Sequence, residues 1–143
     1  MRRGGQNAKL EALRRAPLFE GLSKKELTEL ARATDELTVP AGTVLCREGS
    51  LGNEFFVVVD GSADVTRDGA LLATRSSGDF FGEIALIATT TRTATVTATT
   101  DVHCFILTSR AFRQVLDDNR GVERKVTQAL AERLLTYADD PTL

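Results

Sequence analysis

The stretch from Gly78 to Val96 constrains the fold of this chain more than any other part of the sequence. Gly78 and Gly82 bracket a short apolar segment, and Glu83 then opens a segment with room for only one or two helical turns, to Ala88. Three threonines follow and lead into a run in which polar and apolar residues alternate. Because successive side chains of a strand point to opposite faces, this alternation predicts a strand with one face against the core.

Arg92 heads the apolar set of that predicted strand, which continues at every second residue to Ala98. A charge turned towards a protein interior is costly unless it is paired, so this arginine needs an acidic side chain or an anion as its partner. One interpretation is an internal ion pair with Glu83 or Asp79, since such inward pairs do occur. The other interpretation is a bound anion.

The segment that begins at Gly82 offers the second half of an anion site. The first N–H groups of a helix have no internal partner, and the helix dipole adds partial positive charge there. Gly82 lets the backbone approach a ligand closely, and a planar guanidinium opposite these amides suits a phosphate. Glu83 would be repelled by that phosphate, but it could accept a hydrogen bond from a neighbouring sugar hydroxyl.

The order G-E-I-A-L, followed by R-T-A-T-V, resembles the phosphate-binding cassette of the cyclic nucleotide-binding domain family. That family includes the bacterial catabolite activator protein and the regulatory subunit of cyclic-AMP-dependent protein kinase. The spacing from Gly82 to Arg92 matches without a gap, and the resemblance covers about residues 18–137. Thr91 departs from the pattern, because many members have proline before the arginine; we expect a looser loop with binding retained.

The resemblance implies a role for each residue of this segment. Arg92 would bind the cyclic phosphate, and Glu83 would bind the ribose 2′-hydroxyl. The phosphate shell would be completed by the backbone around Gly82, the amides of Ile84 and Ala85, and the Thr93 hydroxyl. Thr93 also permits cyclic GMP as well as cyclic AMP, and family usage alone favours cyclic AMP.

The resemblance also implies a hinged C-terminal helix that folds over the bound base or pairs with a second subunit. Tyr137 could cap the purine by stacking, and Arg133, one turn earlier, could reach the mouth of the pocket. Both could equally be surface residues on a helix that only packs against the strands. A polar residue that reads the base should lie near Leu72 and Ala73 or on the last helix.

Short strands separated by glycine turns occupy the middle of the chain, at about residues 36–107. Eight or so such strands indicate a sandwich or a barrel. The resemblance narrows this to an eight-stranded double-stranded β-helix, the β-roll or jelly roll, in an α+β, mostly β chain. Asp60-Gly61 and Asp68-Gly69 each predict a two-residue hairpin turn between strands.

Helices are predicted on both sides of the roll. A tail and a short helix over Asn7–Arg15 fill residues 1–17, and a capping box from Ser23 to Glu26 starts a helix that ends near residue 33. Ser109 is predicted to cap a helix to about residue 118, and a longer helix follows to about residue 138. The ligand-binding domain is therefore predicted at 18–138, with its C-terminal helices at about 109–138 and a tail at 139–143.

Composition limits the functions that this segment could have. A length of 143 residues suits one domain, and a net charge of −2 argues against nucleic acid as its main partner. No apolar run approaches the roughly 20 residues that cross a membrane, and the basic start is not followed by an apolar signal. Cys46 and Cys104 lie in predicted strands as reduced core thiols, which together with these features indicates a cytoplasmic protein.

We interpret the chain as a regulatory sensor and not an enzyme, one that binds cAMP or cGMP without a cofactor or metal and transmits binding by moving its C-terminal helices. The last helix could also pair two copies, and the effector is not identified by the sequence. Two alternatives stay open: the ligand-sensing half of a transcription regulator that ends before its DNA-binding domain, and a family member that has lost nucleotide binding. A metal-dependent cupin enzyme would need several His or carboxylate ligands, whereas His103 is the only histidine.

Overall fold

The computed structural model describes residues 5–86 and 90–136. In these residues, four α-helices and two short 3-10 turns flank or interrupt the strands. The helices are α1 (Gly5–Arg15), α2 (Lys24–Arg32), α3 (Ser109–Asp118) and α4 (Arg120–Thr136), and the 3-10 turns lie at Pro17–Phe19 and Glu83–Leu86. No helix in the described part of the chain is long and apolar enough to cross a membrane.

Eight of the strands in the described residues form two four-stranded antiparallel sheets. The first sheet has the order β1 (Asp35–Val39), β10 (Val102–Thr108), β4 (Glu54–Asp60) and β7 (Phe80–Phe81). The second has the order β2 (Val44–Cys46), β9 (Thr95–Ala98), β5 (Ser62–Arg67) and β6 (Ala70–Ser76). A separate short pair joins β3 (Leu51–Gly52) to β8 (Thr90–Thr91). The predicted fold class, a mostly β roll of eight strands with flanking helices, is confirmed, with both sheets open rather than closed.

Strand β4 separates two apolar clusters. Phe55 and Val57 belong to a cluster shared with the helices, whereas Phe56 and Val58 belong to a cluster inside the roll. This follows from the period of two along a strand, because successive side chains enter opposite sides of the sheet. The apolar run of β4 is therefore buried on both faces of the sheet.

The alternation after Arg92 is also present, although the regular strand is shorter than predicted. Ala94, Val96 and Ala98 are buried, and the threonines between them are more exposed. Strand β9 begins only at Thr95. Arg92 lies outside it because its backbone groups bond to the 47–50 loop, as described below, instead of to a neighbouring strand of the sheet.

The two Asp-Gly turns have different structures. Asp68 and Gly69 both have positive φ, 53° and 82°, and join the paired strands β5 and β6 as the predicted hairpin. The hairpin predicted at Asp60-Gly61 is wrong, because β4 and β5 belong to different sheets. Gly61, with φ 99°, instead carries the chain from one sheet to the other, and a Cβ there would lie 2.9 Å from Thr100 Oγ1.

The helix boundaries follow the predicted signals with small shifts. The Ser23 capping box is present, with both of its hydrogen bonds. The N-cap of α3 is Thr108 and not Ser109, because the Thr108 hydroxyl accepts from the Ala111 N–H. A single residue, Asn119, separates α3 from α4. The domain limits predicted at residues 18 and 138 remain predictions.

Candidate functional site

Arg92 follows β8 directly and is half-buried. Its backbone N–H donates to the carbonyl oxygen of Ser50 at 2.7 Å, and its carbonyl oxygen accepts from the Gly49 N–H at 2.9 Å. The loop of residues 47–50 therefore satisfies both main-chain groups of Arg92. These two bonds fix the direction in which the side chain leaves the backbone.

The Arg92 side chain crosses the backbone of two glycines. A Cβ at Gly52 would lie 2.7 Å from Arg92 Cδ and closer still to Nε, and a Cβ at Gly82 would lie 2.8 Å from Nη1. Any side chain at either position would meet the guanidinium, so the site depends on glycine at both. The guanidinium consequently reaches the residue that immediately precedes the Glu83–Leu86 turn.

The hydrogen bond recorded for the Arg92 side chain goes to a main-chain group. Nη2 donates to the carbonyl oxygen of Glu54 at 2.8 Å. A neutral carbonyl orients the guanidinium without neutralising its charge. Asp79, which the sequence offered as an ion-pair partner, instead accepts from the Ser76 N–H at 2.8 Å. Asp79 therefore has a local partner of its own, and a bound anion and an ion pair with Glu83 stay as the two interpretations of Arg92.

Glu83 is the first residue of the 3-10 turn and is only 2% exposed. The turn is closed by the Ala85 N–H, which donates to the Gly82 carbonyl oxygen at 3.0 Å. Ile84 lies within the same turn, and Ala85 is buried. The structure thus places Gly82, the residue before this turn, beside the Arg92 guanidinium. The ligand contacts predicted for Gly82, Glu83, Ile84, Ala85 and Arg92 remain predictions.

Thr93 follows Arg92 and is exposed. Leu72 and Ala73 lie on β6, where Leu72 is 41% exposed and Ala73 packs against the cluster inside the roll. Arg133 lies in α4, but its side chain is outside the described set, and Tyr137 lies outside the described residues. The roles predicted for these residues remain predictions.

Cys46 borders the same corner, which the sequence did not indicate. It lines a small pocket with Arg92, Gly82 and Phe81. Burial raises the pKa of the Cys46 thiol to about 11, against a smaller opposite effect of the Arg92 charge. Burial likewise raises the pKa of Cys104 to about 11. Both are free cysteines, as predicted, and both are protonated at neutral pH.

The sequence missed the residues that hold Arg92 through their backbones, namely Gly49, Ser50, Gly52 and Glu54. A glycine next to a strand, such as Gly52, is a weak signal that another group approaches the backbone closely. In the described part of the chain, no group of three or more His, Cys, Asp or Glu side chains could hold a metal ion. His103 instead pairs with Glu36 on the surface of the first sheet.

Fold and site together define a class of protein: a β-roll domain in which a half-buried arginine and a short helical turn meet at one corner. The family model described as "Cyclic nucleotide-binding domain" matches residues 36–119, and the chain belongs to that family. The predicted resemblance is thereby confirmed, and the matched domain is of a regulatory, not a catalytic, kind.

Two relatives show how this domain is used elsewhere. The chain is 35% identical over 114 residues to a cGMP-dependent protein kinase of Caenorhabditis elegans. It is 34% identical over 118 residues to a cAMP-dependent protein kinase regulatory subunit of Schizosaccharomyces pombe. These alignments cover 80% and 82% of this chain but only 14% and 29% of the two relatives, so the chain spans less than a third of either.

A solved structure is similar over nearly its whole length. The N-terminal domain of a transcriptional regulator from Streptomyces coelicolor superposes with a TM-score of 0.82 and is 31% identical. The match covers 90% of this chain and 93% of that one. Because the roll spans only residues 35–108, the match extends into the flanking helices.

Proposed function

We propose that this chain is a sensor domain that binds a cyclic nucleotide at the Arg92 corner. The observation that carries the proposal is the position of the guanidinium, which is held across Gly52 and Gly82 with its charge not neutralised by its carbonyl partner. A cyclic phosphate would bring a negative charge to this guanidinium, since guanidinium groups bind phosphate oxygens through charge-assisted hydrogen bonds. Membership of the family supports the same ligand class.

The residues around Arg92 would bind different parts of the ligand. Arg92 would bind the cyclic phosphate together with the amide of Ile84 and the Thr93 hydroxyl. The Ala85 amide would join them only by leaving the Gly82 carbonyl oxygen, to which it donates in the structure. Glu83, buried at the start of the turn, would accept a hydrogen bond from the ribose 2′-hydroxyl. This division separates the Glu83 carboxylate from the phosphate and gives it a neutral partner, which avoids repulsion between two negative groups.

The Glu83–Leu86 turn also contacts the helices, which suggests how binding would be transmitted. Leu86 is buried in the same cluster as Phe112 of α3 and Val126 of α4. When the anion draws the turn towards Arg92, Leu86 would shift and α3 and α4 would repack. The ligand acts only through its different affinity for the two arrangements, which makes this a population shift.

Cyclic AMP is the proposed ligand, with cyclic GMP as the alternative. One of the two relatives is a cGMP-dependent protein kinase, and the other is the regulatory subunit of a cAMP-dependent protein kinase. Ala73 and Leu72, where a base-reading residue is expected, have no polar side chain, so they give no support to recognition of a guanine edge. The similarity to the N-terminal domain of a transcriptional regulator favours, as a second candidate, a role as the sensing half of such a regulator.

Calorimetric titration of the 143-residue chain with cyclic AMP, cyclic GMP and linear 5′-AMP tests the proposal. We expect saturable binding of one molecule per chain, tightest for cyclic AMP. Binding of 5′-AMP should be much weaker, because its phosphate is not joined to the 3′-oxygen and is therefore not held in a fixed position beside the ribose. Tighter binding of cyclic GMP would make cyclic GMP the preferred ligand and would overturn only the choice of cyclic AMP. Saturation by neither cyclic nucleotide at millimolar concentration would overturn the proposal and identify a member that has lost binding.

A further inference from the structure

Residues 92–94 connect β8 to β9 and lie outside both strands. Strand pairing therefore does not hold this segment, although it carries the arginine of the proposed site. Its main-chain groups are held by partners from elsewhere, and such partners matter most where the backbone is buried away from water. The 47–50 loop supplies partners for Arg92, as described above. The carbonyl oxygen of Thr93 has a different partner.

The tip of the β5–β6 hairpin, residues 67–69, reaches this segment. Arg67 Nε donates to the Thr93 carbonyl oxygen at 3.0 Å. At the same tip, the Asp68 N–H donates to Glu48 Oε1 at 3.1 Å, and the Glu48 N–H donates to Thr95 Oγ1 at 3.0 Å. The hairpin tip is thus bonded both to the segment that carries Arg92 and to the loop that holds it.

The position of the tip is set by strand register. Thr66 lies opposite Thr95 in the β5–β9 pair, so Arg67 is the first residue beyond that pairing and faces the end of the 92–94 segment. The turn at Asp68 and Gly69 has the positive φ angles of a tight hairpin, which fixes where the Asp68 N–H points. Arg67 therefore reaches Thr93 from the last residue of strand β5 and not from a loop.

We propose that Arg67 is a positioning residue, which holds the Thr93 carbonyl so that Arg92 and Thr93 face the ligand phosphate in a fixed orientation. This inference rests on the proposed function and names a residue outside the segment that the family resemblance singled out. Arg67 acts through the Arg92–Thr93 backbone and does not itself contact the ligand. Glu48 supports it by holding the hairpin tip against the 47–50 loop.

The test compares Arg67→Ala and Arg67→Lys with Arg32→Ala as a control for charge, since Arg32 is an exposed arginine on α2. A hydrogen bond from a charged donor lies at the low end of its range when exposed, so Arg67→Ala should weaken cyclic AMP binding about tenfold. The melting temperature should change little, because Arg67 is exposed. Arg67→Lys should restore most of the affinity, and Arg32→Ala should bind like the wild type.

A double-mutant cycle with Arg92→Ala separates positioning from direct contact. If Arg67 acts through Arg92, then Arg67→Ala should cost little further affinity once Arg92 is gone. An equal loss in both backgrounds, or no loss in the wild-type background, would overturn the inference.

Hydrogen exchange in the unliganded proteins tests the role of Arg67 without the ligand, and therefore independently of the proposed function. Arg67→Ala should speed exchange of the amides of Arg92 and Gly49 relative to wild type, because the segment that they hold together is loosened. Unchanged exchange would overturn the positioning role even if the wild type binds no nucleotide. Failure of the wild type to bind, with faster exchange in Arg67→Ala, would overturn the proposed function and leave only the role of Arg67 in holding the Arg92–Thr93 backbone.

Discussion

The interior of the roll and the Arg92 corner are built in opposite ways. The interior is filled by large side chains, such as Phe56 and Phe81, whose rings stack with centroids 4.7 Å apart. The corner is formed where side chains are missing, at Gly52 and Gly82, and main-chain groups orient the arginine. Stability and ligand binding therefore depend on different residues in this small domain. A substitution in the interior should lower the free energy of unfolding, and one at the corner should lower the affinity.

Phe56→Ala should produce the largest effect, and it should fall on stability. Phe56 is 2% exposed, and removal of a buried phenyl ring costs about 3–5 kcal/mol because a cavity is left behind. Urea unfolding followed by circular dichroism measures this change. Leu71→Ala, at a side chain that is 62% exposed, serves as the control. Equal midpoints for the two variants would contradict the contrast between a packed interior and an open surface.

Gly52→Ala should have the next largest effect, and it should fall on binding. The new methyl group would occupy the space of the Arg92 side chain, which must then leave its place beside Gly82. We expect a loss of affinity for cyclic AMP of about a hundredfold, or about 2.7 kcal/mol. The free energy of unfolding should change far less than in Phe56→Ala, because the clash is with a side chain that can move.

Gly121→Ala is the matched control for Gly52→Ala, because its added methyl group would meet the end of the flexible Glu26 side chain at 2.9 Å. It should retain wild-type affinity when both variants are titrated with cyclic AMP. If Gly52→Ala also bound cyclic AMP like the wild type, the requirement for glycine at position 52 would be refuted.

Loss of the Glu26 carboxylate, which lies outside both regions, should have the smallest effect on the free energy of unfolding. The Ser23 backbone hydrogen bond and then Lys125 lower the pKa of Glu26 below its ordinary value of 4.5. Because its pKa is lower in the folded state, Glu26 adds stability above about pH 4.5, which is lost as the pH falls through the folded pKa. Glu26→Gln should therefore destabilise the protein at pH 7 by less than about 1 kcal/mol.

Urea unfolding at pH 7 and in acid checks this sign. The difference between wild type and Glu26→Gln should vanish once Glu26 is protonated. A difference that grew in acid would show that the pKa of Glu26 is not lowered in the folded state.

The elements with strong local patterns were predictable from the sequence. The apolar run of β4, the Ser23 capping box and the alternation to Ala98 each specify a local structure, and each is present. The two Asp-Gly turns show that a local pattern does not decide which strands pair. The dipeptides are identical, but Asp60-Gly61 joins two sheets because β4 pairs with β10 and β7 rather than with β5.

The candidate site was predictable only where side-chain chemistry marks it. Arg92 and Glu83 stand out in the sequence because their charges lie in an apolar pattern. The Glu54 carbonyl and the Gly52 backbone could not be identified in this way, since every residue has a carbonyl group and only the tertiary fold decides which one faces the guanidinium. Arg67 was missed for the same reason, because its partner is the Thr93 main chain.

Calorimetric titration of wild type and Arg92→Ala with cyclic AMP tests the central claim most directly. Removing one partner of a part-buried arginine–phosphate contact leaves the other without compensation, so affinity should fall at least about a hundredfold. Circular dichroism of both proteins confirms that the fold is retained. A hundredfold or greater loss in a folded variant is the result that the account predicts, and equal affinity in the two proteins would contradict it.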